Sequence, residues 1–524
     1  MKKQNKKSII LYIYLGIFLF FPLLQMMKVD WSILPSLVSS KAFKEALINS
    51  ISVSIISTLL SICIAYILAW AINNSNIKHK AILKMLITLP MLIPTISHGL
   101  GLINLFGTNG IISSIVKFNI IGKAGIVIGS ILYSFPVAFL LLDDGYKYID
   151  NSLYASAKVL GLNKWQIFKR VTLPYLKKPL ISSLFAIFTM IFTDYGVPLA
   201  IGGKYITLPV FLYKEVIGLL NYSSGAIIGL FLLIPAFISF IVDNFLNDYT
   251  NSDLENRNIT HSNNKTRDVI CNIIIYFSIF CILLIIGSFL YYAFIDNPVL
   301  NPVFSLKHIQ YVLDNNIGKY IFNSVIIALG SAILGTFVAY FSAYITARVK
   351  GKLSRILHFL IISALAIPGV VLGLSYTMAF NNTFLYNTYI ILIIVNSIHF
   401  IANPYLMAYN ALQKVNPNYE IIGKTCNISN YKIIKDIIIP CTKSTIREMF
   451  AYFFTKSTIT ISAVAFLFNT KTMPLSLMIN NYKSNMMLGE AAIISLIILF
   501  INLIVKGTIY FLNRKESRNN KYEN

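Results

Sequence analysis

Residues 49–69 read NSISVSIISTLLSICIAYILA, and residues 323–343 read NSVIIALGSAILGTFVAYFSA. Neither stretch holds a charged side chain. Each has the length of about 20 residues at which an apolar helix crosses the hydrocarbon core of a bilayer. Asn-Ser opens both, Ala65-Tyr66 matches Ala339-Tyr340, and Ala69 matches Ala343, a constant shift of 274 residues. The same shift carries Pro94, Gly99 and Leu100 onto Pro368, Gly373 and Leu374. The chain is therefore a tandem repeat of membrane-crossing elements. Further along the shift shrinks to 266 and aligns Pro174 with Pro440.

Composition agrees. Of 524 residues 56% are hydrophobic and only 12% charged, with a mean hydropathy of +0.70. A soluble protein carries roughly 25% charged residues, so this chain cannot cover a water-facing surface and membrane lipid must solvate much of it. The net charge of +24 does not indicate nucleic acid, because the basic residues lie in short loops between apolar runs. Five scattered cysteines without a CxxC pair argue against a disulfide framework or a thiolate metal site.

Twelve apolar runs are expected, near 9–27, 48–72, 81–106, 124–142, 180–201 and 224–243, then 269–294, 321–346, 355–380, 387–410, 445–468 and 490–512. The fold class is all-α and polytopic, two parallel six-helix repeats. With the N-terminus in the cytoplasm and the spans alternating, 32 of the 44 Lys and Arg fall on the cytoplasmic side, 11 outside, and Lys456 within a span. The positive-inside rule favours this topology, with both termini cytoplasmic in the cell membrane. The Asn-, Asp- and Ser-rich stretch 243–268 reads as a cytoplasmic linker. It separates a first repeat, 1–242, from a second, 269–524. Six spans per half give the halves the same orientation, about an axis along the membrane normal.

The loop after the fourth run, 150–178, is basic and helical in pattern. It contains Tyr154-Ala155-Ser156-Ala157, then Gly161, then Val171-Thr172-Leu173-Pro174. Its counterpart, 416–443, contains Glu420-Ile421-Ile422-Gly423, then Asn427, then Ile437-Ile438-Ile439-Pro440. Each is expected to form two short helices joined at Gly161 or Asn427, since Asn tolerates a left-handed backbone better than most residues. An amphipathic helix lying on anionic lipid is the plain alternative for one such loop. Two copies at the same topological position argue for a knob that enters a partner's groove.

These loops resemble the EAA loop, E-A-A-x3-G-x9-I-x-L-P, of permeases in binding-protein-dependent ABC importers. Ala157, Gly161, Leu173 and Pro174 match the pattern, while Ala155, Ser156 and Val171 depart from it. The second copy is more degenerate: Glu420 sits one position early, and Asn427 replaces glycine. The resemblance covers nearly the whole chain as two fused permease domains, familiar from importers of ferric iron, thiamine and phosphonates. It implies an ATPase-coupling role for Ala155, Ser156, Ala157, Gly161, Val171, Leu173 and Pro174, and for Ile421, Ile422, Gly423, Asn427, Ile437, Ile439 and Pro440. It also implies two cytoplasmic ABC ATPase subunits and an extracytoplasmic solute-binding protein as partners. No cofactor and no metal are expected, and the chain itself should perform no covalent chemistry. Gly423-Lys424-Thr425 is not a Walker A loop, because Asn418 stands where that motif needs glycine. Glu490-Ala491-Ala492 has the letters EAA but opens the last span.

Two ionisable residues fall inside spans, Asp194 and Lys456, and such residues are expensive in lipid. Both are expected to face the interface between halves and line a solute path; the alternatives are that they pair with each other or that Asp194 already lies at the outer boundary. Thr458-Ile459-Thr460-Ile461-Ser462-Ala463-Val464-Ala465 looks similar to 2-aminoethylphosphonate permeases, whose solute carries charges of both signs that Asp194 and Lys456 would complement. Ferric iron or thiamine is the alternative solute. A secondary transporter is a further alternative, but it would usually need several mid-membrane carboxylates.

Overall fold

The computed structural model describes residues 2–108, 110–113, 115, 118–146, 149, 151–247, 264–296, 302–349 and 351–522. Its described residues are mostly helical, joined by turns and irregular segments, with one two-residue antiparallel pairing, Ile295 with Phe304 and Asp296 with Val303. Eight uninterrupted helices are long and apolar enough to cross a membrane. Two bent pairs, Lys352–Ala366 with Gly369–Phe380 (107°) and Tyr389–His399 with Ala402–Lys414 (54°), bring the total to as many as ten among the described residues.

The expected count of twelve spans is not confirmed, and two of the expected runs form no helix long and apolar enough to cross a membrane. The one expected at 81–106 is Lys80–Ile87, a short 3-10 turn and Thr95–Phe106. The one expected at 445–468 is Lys443–Ile459, which ends at Thr460. A third run also differs. The helix expected at 180–201 stops at Phe192, and the short Gly196–Ile201 follows after a break. The linker expected at 243–268 is shorter at both ends. Tyr222–Asn247 continues into it, Asn264 caps Lys265–Phe294, which begins within it, and 248–263 lie outside the described residues.

Proline explains the breaks that the halves share. The residue before proline is pushed out of the α region, and proline donates no backbone N–H. Ile93 before Pro94 is extended (φ −113°, ψ 149°), and so is Ile367 before Pro368 (φ −103°, ψ 111°). The helices that follow, Thr95–Phe106 and Gly369–Phe380, are both 12 residues long and are related by the shift of 274 at both ends. Pro404 acts likewise on the Phe400–Ile401 bend, since its ring excludes the carbonyl four residues earlier.

The halves interlock. The opening span of the first half packs on the second: Phe21–Met26 lies along Gly369–Phe380, and the Tyr376 hydroxyl donates to the Phe18 carbonyl. The opening span of the second half, Lys265–Phe294, packs on the first, where a Cβ at Gly101 would meet Ile285 Cγ2 at 2.5 Å. Glycine leaves room there for the Ile285 and Phe289 side chains of the facing helix.

Candidate functional site

The two basic loops share one fold. Asn151–Val159 ends in a turn at Gly161 (φ +72°), and Asn418–Thr425 ends in a turn at Asn427 (φ +57°). In each turn an N–H reaches back five residues, from Leu162 to Ala157 (3.1 Å) and from Ile428 to Gly423 (2.7 Å). This is a Schellman-type close, which needs the left-handed residue. The next helix is capped alike: the Asn163 side chain accepts from Gln166 N, and the Ser429 side chain from Lys432 N.

The Leu-Pro and Ile-Pro ends now have a structural role. Phe168–Thr172 and Ile434–Ile438 are both π-helical and are related by the shift of 266 at both ends. Pro174 and Pro440 cannot donate to the carbonyls four residues earlier, so the ladder widens there. Ala157 and Gly423 are buried beneath the second short helix, and a Cβ at Gly423 would meet Ile433 Cδ1 at 2.2 Å. Ala155, Ser156, Gly161, Pro174, Ile421, Ile422, Asn427 and Pro440 are exposed, while Val171, Leu173, Ile437 and Ile439 are half-buried. Val159, Leu160 and Trp165 on one knob, and Ile421, Ile422 and Tyr431 on the other, are large apolar side chains left uncovered.

At the other end of the bundle the broken spans meet. The Asn-Ser pairs that exposed the repeat hold these segments. Asn49 Nδ2 donates to the Ile206 carbonyl (3.0 Å), and Leu208 N–H donates to Ser50 Oγ (2.7 Å). Asn323 Nδ2 donates to the Met473 carbonyl (3.0 Å), and Leu475 N–H donates to Ser324 Oγ (2.7 Å). Gly99 and Gly373 let the neighbouring helices close on the same segments: added Cβ atoms would stand 3.4 Å from the Val197 carbonyl and 2.7 Å from that of Ala463. Tyr195, Tyr213 and Phe466 then form an aromatic chain from the first half to the second, with ring centroids 4.8 and 5.7 Å apart. Sequence reading missed these three, because no pattern marks an aromatic residue in an irregular segment. Non-helical backbone at membrane depth persists only where protein or a water-filled cavity surrounds it. The broken segments of the two halves meet at the Tyr213–Phe466 contact.

Asp194 lies in such a break and not within a helix. Its carboxylate caps Gly196–Ile201, accepting from Gly196 N–H (3.2 Å) and Val197 N–H (3.0 Å). Lys456 lies on Lys443–Ile459, with its ammonium 5.9 Å from the centre of the Tyr452 ring. The shift of 266 places Lys456 opposite Met190 and Asp194 opposite Thr460, one helical turn apart in register. No ion pair joins Asp194 to Lys456 among the described residues. His98 is buried with Nδ1 3.2 Å from the Pro94 carbonyl, and His399 packs on Phe400. Among the described residues no cluster of three or more His, Cys, Asp or Glu could hold a metal ion.

A membrane bundle made twice over, with paired knobs and paired broken spans, defines a permease. The family description "binding-protein-dependent transport system inner membrane component" matches residues 61–250 and 334–518, and the chain belongs to that family. It is 26% identical over 442 residues to a ferric transport system permease protein of Haemophilus influenzae, covering 80% of this chain and 69% of that one. It is 25% identical over 460 residues to the ferric transport system permease protein of Actinobacillus pleuropneumoniae, covering 82% and 65%. A thiamine transport system permease protein of Haemophilus influenzae is 24% identical over 349 residues, covering 63% of each chain. The chain thus spans about two thirds of the length of these relatives.

Proposed function

We propose that this chain is the membrane subunit of an ATP-driven solute importer. In this reading the interior between the halves is the solute path. The knobs at 151–172 and 418–441 each seat one cytoplasmic ATPase subunit, and an external binding protein delivers the solute to the opposite face. Both termini are cytoplasmic, as the count of basic residues favours. The chain itself catalyses no covalent step. The observation that carries the reading is the paired helix–turn–helix knob, repeated at a shift of 266 down to its left-handed residue and its π-helical exit.

Ferric iron is the proposed solute class, supported by the two ferric permeases that match over four fifths of the chain. A phosphonate such as 2-aminoethylphosphonate is the second reading. It is favoured by Lys456, a lysine on a membrane helix with no carboxylate in ion-pair range among the described residues. The zwitterion argument is weaker on its acidic side, since both Asp194 oxygens already accept backbone N–H groups. The test is ATP-dependent uptake of labelled ferric iron and of labelled 2-aminoethylphosphonate by proteoliposomes holding the permease and its ATPase. Iron uptake alone supports the first reading and phosphonate uptake alone the second. ATP-independent uptake driven by an ion gradient would contradict both.

A further inference from the structure

The two knobs differ in how they are tied to the bundle. Glu420 opens the second knob, and its side chain turns away from the exposed face. The Tyr344 hydroxyl donates to Glu420 Oε1 (3.1 Å), and Arg348 Nε stands 3.8 Å from the same oxygen. A terminal nitrogen of Arg348 donates to the Val415 carbonyl, 2.8 Å away, just before the knob. One turn deeper, Tyr340 shares a hydrogen bond of 2.7 Å with Thr442, just after it. The Arg348 and Glu420 side chains are only 8% and 19% exposed, so water screens their attraction far less than on an open surface.

Tyr340, Tyr344 and Arg348 all belong to Ile317–Arg348. The other end of that helix carries Asn323 and Ser324, which hold the broken segment at 471–475. One continuous helix of 32 residues, roughly 48 Å long at 1.5 Å per residue, thus has polar anchors to the second knob at one end and to the interior segment at the other.

The first half shares the inner anchor, but its matching positions at the knob end carry other side chains. Asn49 and Ser50 hold 206–208 as their counterparts do. At the knob end, the shifts place Trp70, Asn74 and Tyr154 where Tyr344, Arg348 and Glu420 stand. Tyr154 instead hydrogen-bonds Thr172 within its own knob (2.9 Å), and Asn74 donates to the Trp70 carbonyl of its own helix. The junction there includes ring packing, Tyr66 against Phe168 at 6.2 Å, a contact without the direction of an ion pair.

We infer that Glu420 and Arg348 are positioning residues that link the second knob to the segment at 471–475, so that ATP-driven movement of that knob reaches the path along Ile317–Arg348. The inference rests on the importer reading above. Glu420 does not touch the solute, and its carboxylate is already engaged within the chain. It fixes the angle between knob and helix, so that displacement of the knob moves Asn323 and Ser324.

The test uses the full transporter in proteoliposomes and reads three quantities: ATPase subunit captured, ATP hydrolysed, and solute taken up per ATP. Glu420→Gln is expected to capture ATPase as wild type does and to go on hydrolysing ATP. Uptake per ATP should fall by about fivefold, the lower end of typical coupling between sites. Arg348→Glu should fall likewise, and the swap Glu420→Arg with Arg348→Glu should recover most of the ratio. Tyr344→Phe, which keeps the ring and removes only the donor, provides a variant that should fold normally and lower the ratio by less. An unchanged ratio in Glu420→Gln with ATPase captured would overturn the inference and leave the importer reading standing. Failure of the wild-type chain to capture any ATPase would overturn the importer reading itself. Loss of capture in Glu420→Gln would overturn the positioning role in favour of direct contact with the ATPase.

Discussion

Asn427 holds the left-handed conformation that Gly161 holds 266 residues earlier, at φ +57° against +72°. The left-handed region costs an ordinary L-residue roughly 1–2 kcal/mol, glycine nothing, and asparagine little. The second turn therefore forms without glycine because asparagine is one of the few side chains that tolerate this conformation.

The first prediction follows from that pair. A Cβ at Gly161 would meet nothing within 4 Å, so only backbone strain opposes a side chain there. Gly161→Val should strain the turn by about 1–2 kcal/mol and reduce ATPase capture by roughly tenfold, while the protein still inserts. Asn427→Gly should leave capture at or above the wild-type level. Capture by quantitative pull-down checks both, and equal loss in the two variants would contradict the shared-turn account.

The second prediction concerns the interior anchors. Ser50→Ala and Ser324→Ala each leave a buried N–H, of Leu208 or Leu475, without its acceptor. An unsatisfied buried donor costs about 1–3 kcal/mol. Because both bonds are 2.7 Å and buried, thermal unfolding in detergent should show losses of similar size. A large effect from one and none from the other would argue against equivalent roles.

A third prediction separates capping from solute contact at Asp194. Asp194→Asn keeps one of the two acceptor oxygens, enough for the Gly196 or the Val197 N–H group but not both, and should retain most uptake. Asp194→Ala should cost about 1 kcal/mol, the usual loss of an N-cap, and lower uptake. Asp194→Lys should not be rescued by Lys456→Asp, since the two form no ion pair. Rescue in the uptake assay would show that they meet in a state other than this one.

The fourth prediction is a pH dependence on the face away from the knobs. His308, on the short helix Lys307–Asp314, has Nδ1 3.0 Å from Glu490 Oε1. The bond to Glu490 and its charge, aided by Asp296, raise the imidazole pKa above its ordinary 6.5, against partial burial. Lys307 is paired with Asp296 at 2.7 Å, and Tyr292, Tyr311 and Tyr482 also surround the pair. A group whose pKa is raised on folding stabilises fully below its unfolded pKa and loses that stabilisation as pH rises through the folded value. The gap in unfolding temperature between wild type and His308→Gln should therefore be widest near about pH 6 and shrink toward about pH 8.5. A gap that grows with pH would contradict the pairing.

The repeat, the all-α membrane class and the knob turns were legible because they depend on local rules. A charge-free run of membrane length, a constant shift, and a glycine or asparagine between short helices each act within a few residues. The breaks were less legible. Hydropathy runs straight through Ile93-Pro94 and Thr460, because a broken span buried in protein is as apolar as a continuous one. Asp194 looked like a charge inside a helix, since only the fold reveals the turn that its carboxylate caps. The tie from Glu420 to Arg348 crosses 72 positions and leaves no local signature. The aromatic chain Tyr195–Tyr213–Phe466 exists only once the halves meet.

The central claim is that both knobs seat an ATPase. Photo-crosslinking side chains placed singly at Trp165 and Tyr431, both exposed at the knob surfaces, test it most directly in the assembled transporter. The account predicts a crosslink to the ATPase subunit from each position. Crosslinks to lipid alone from both positions would contradict it.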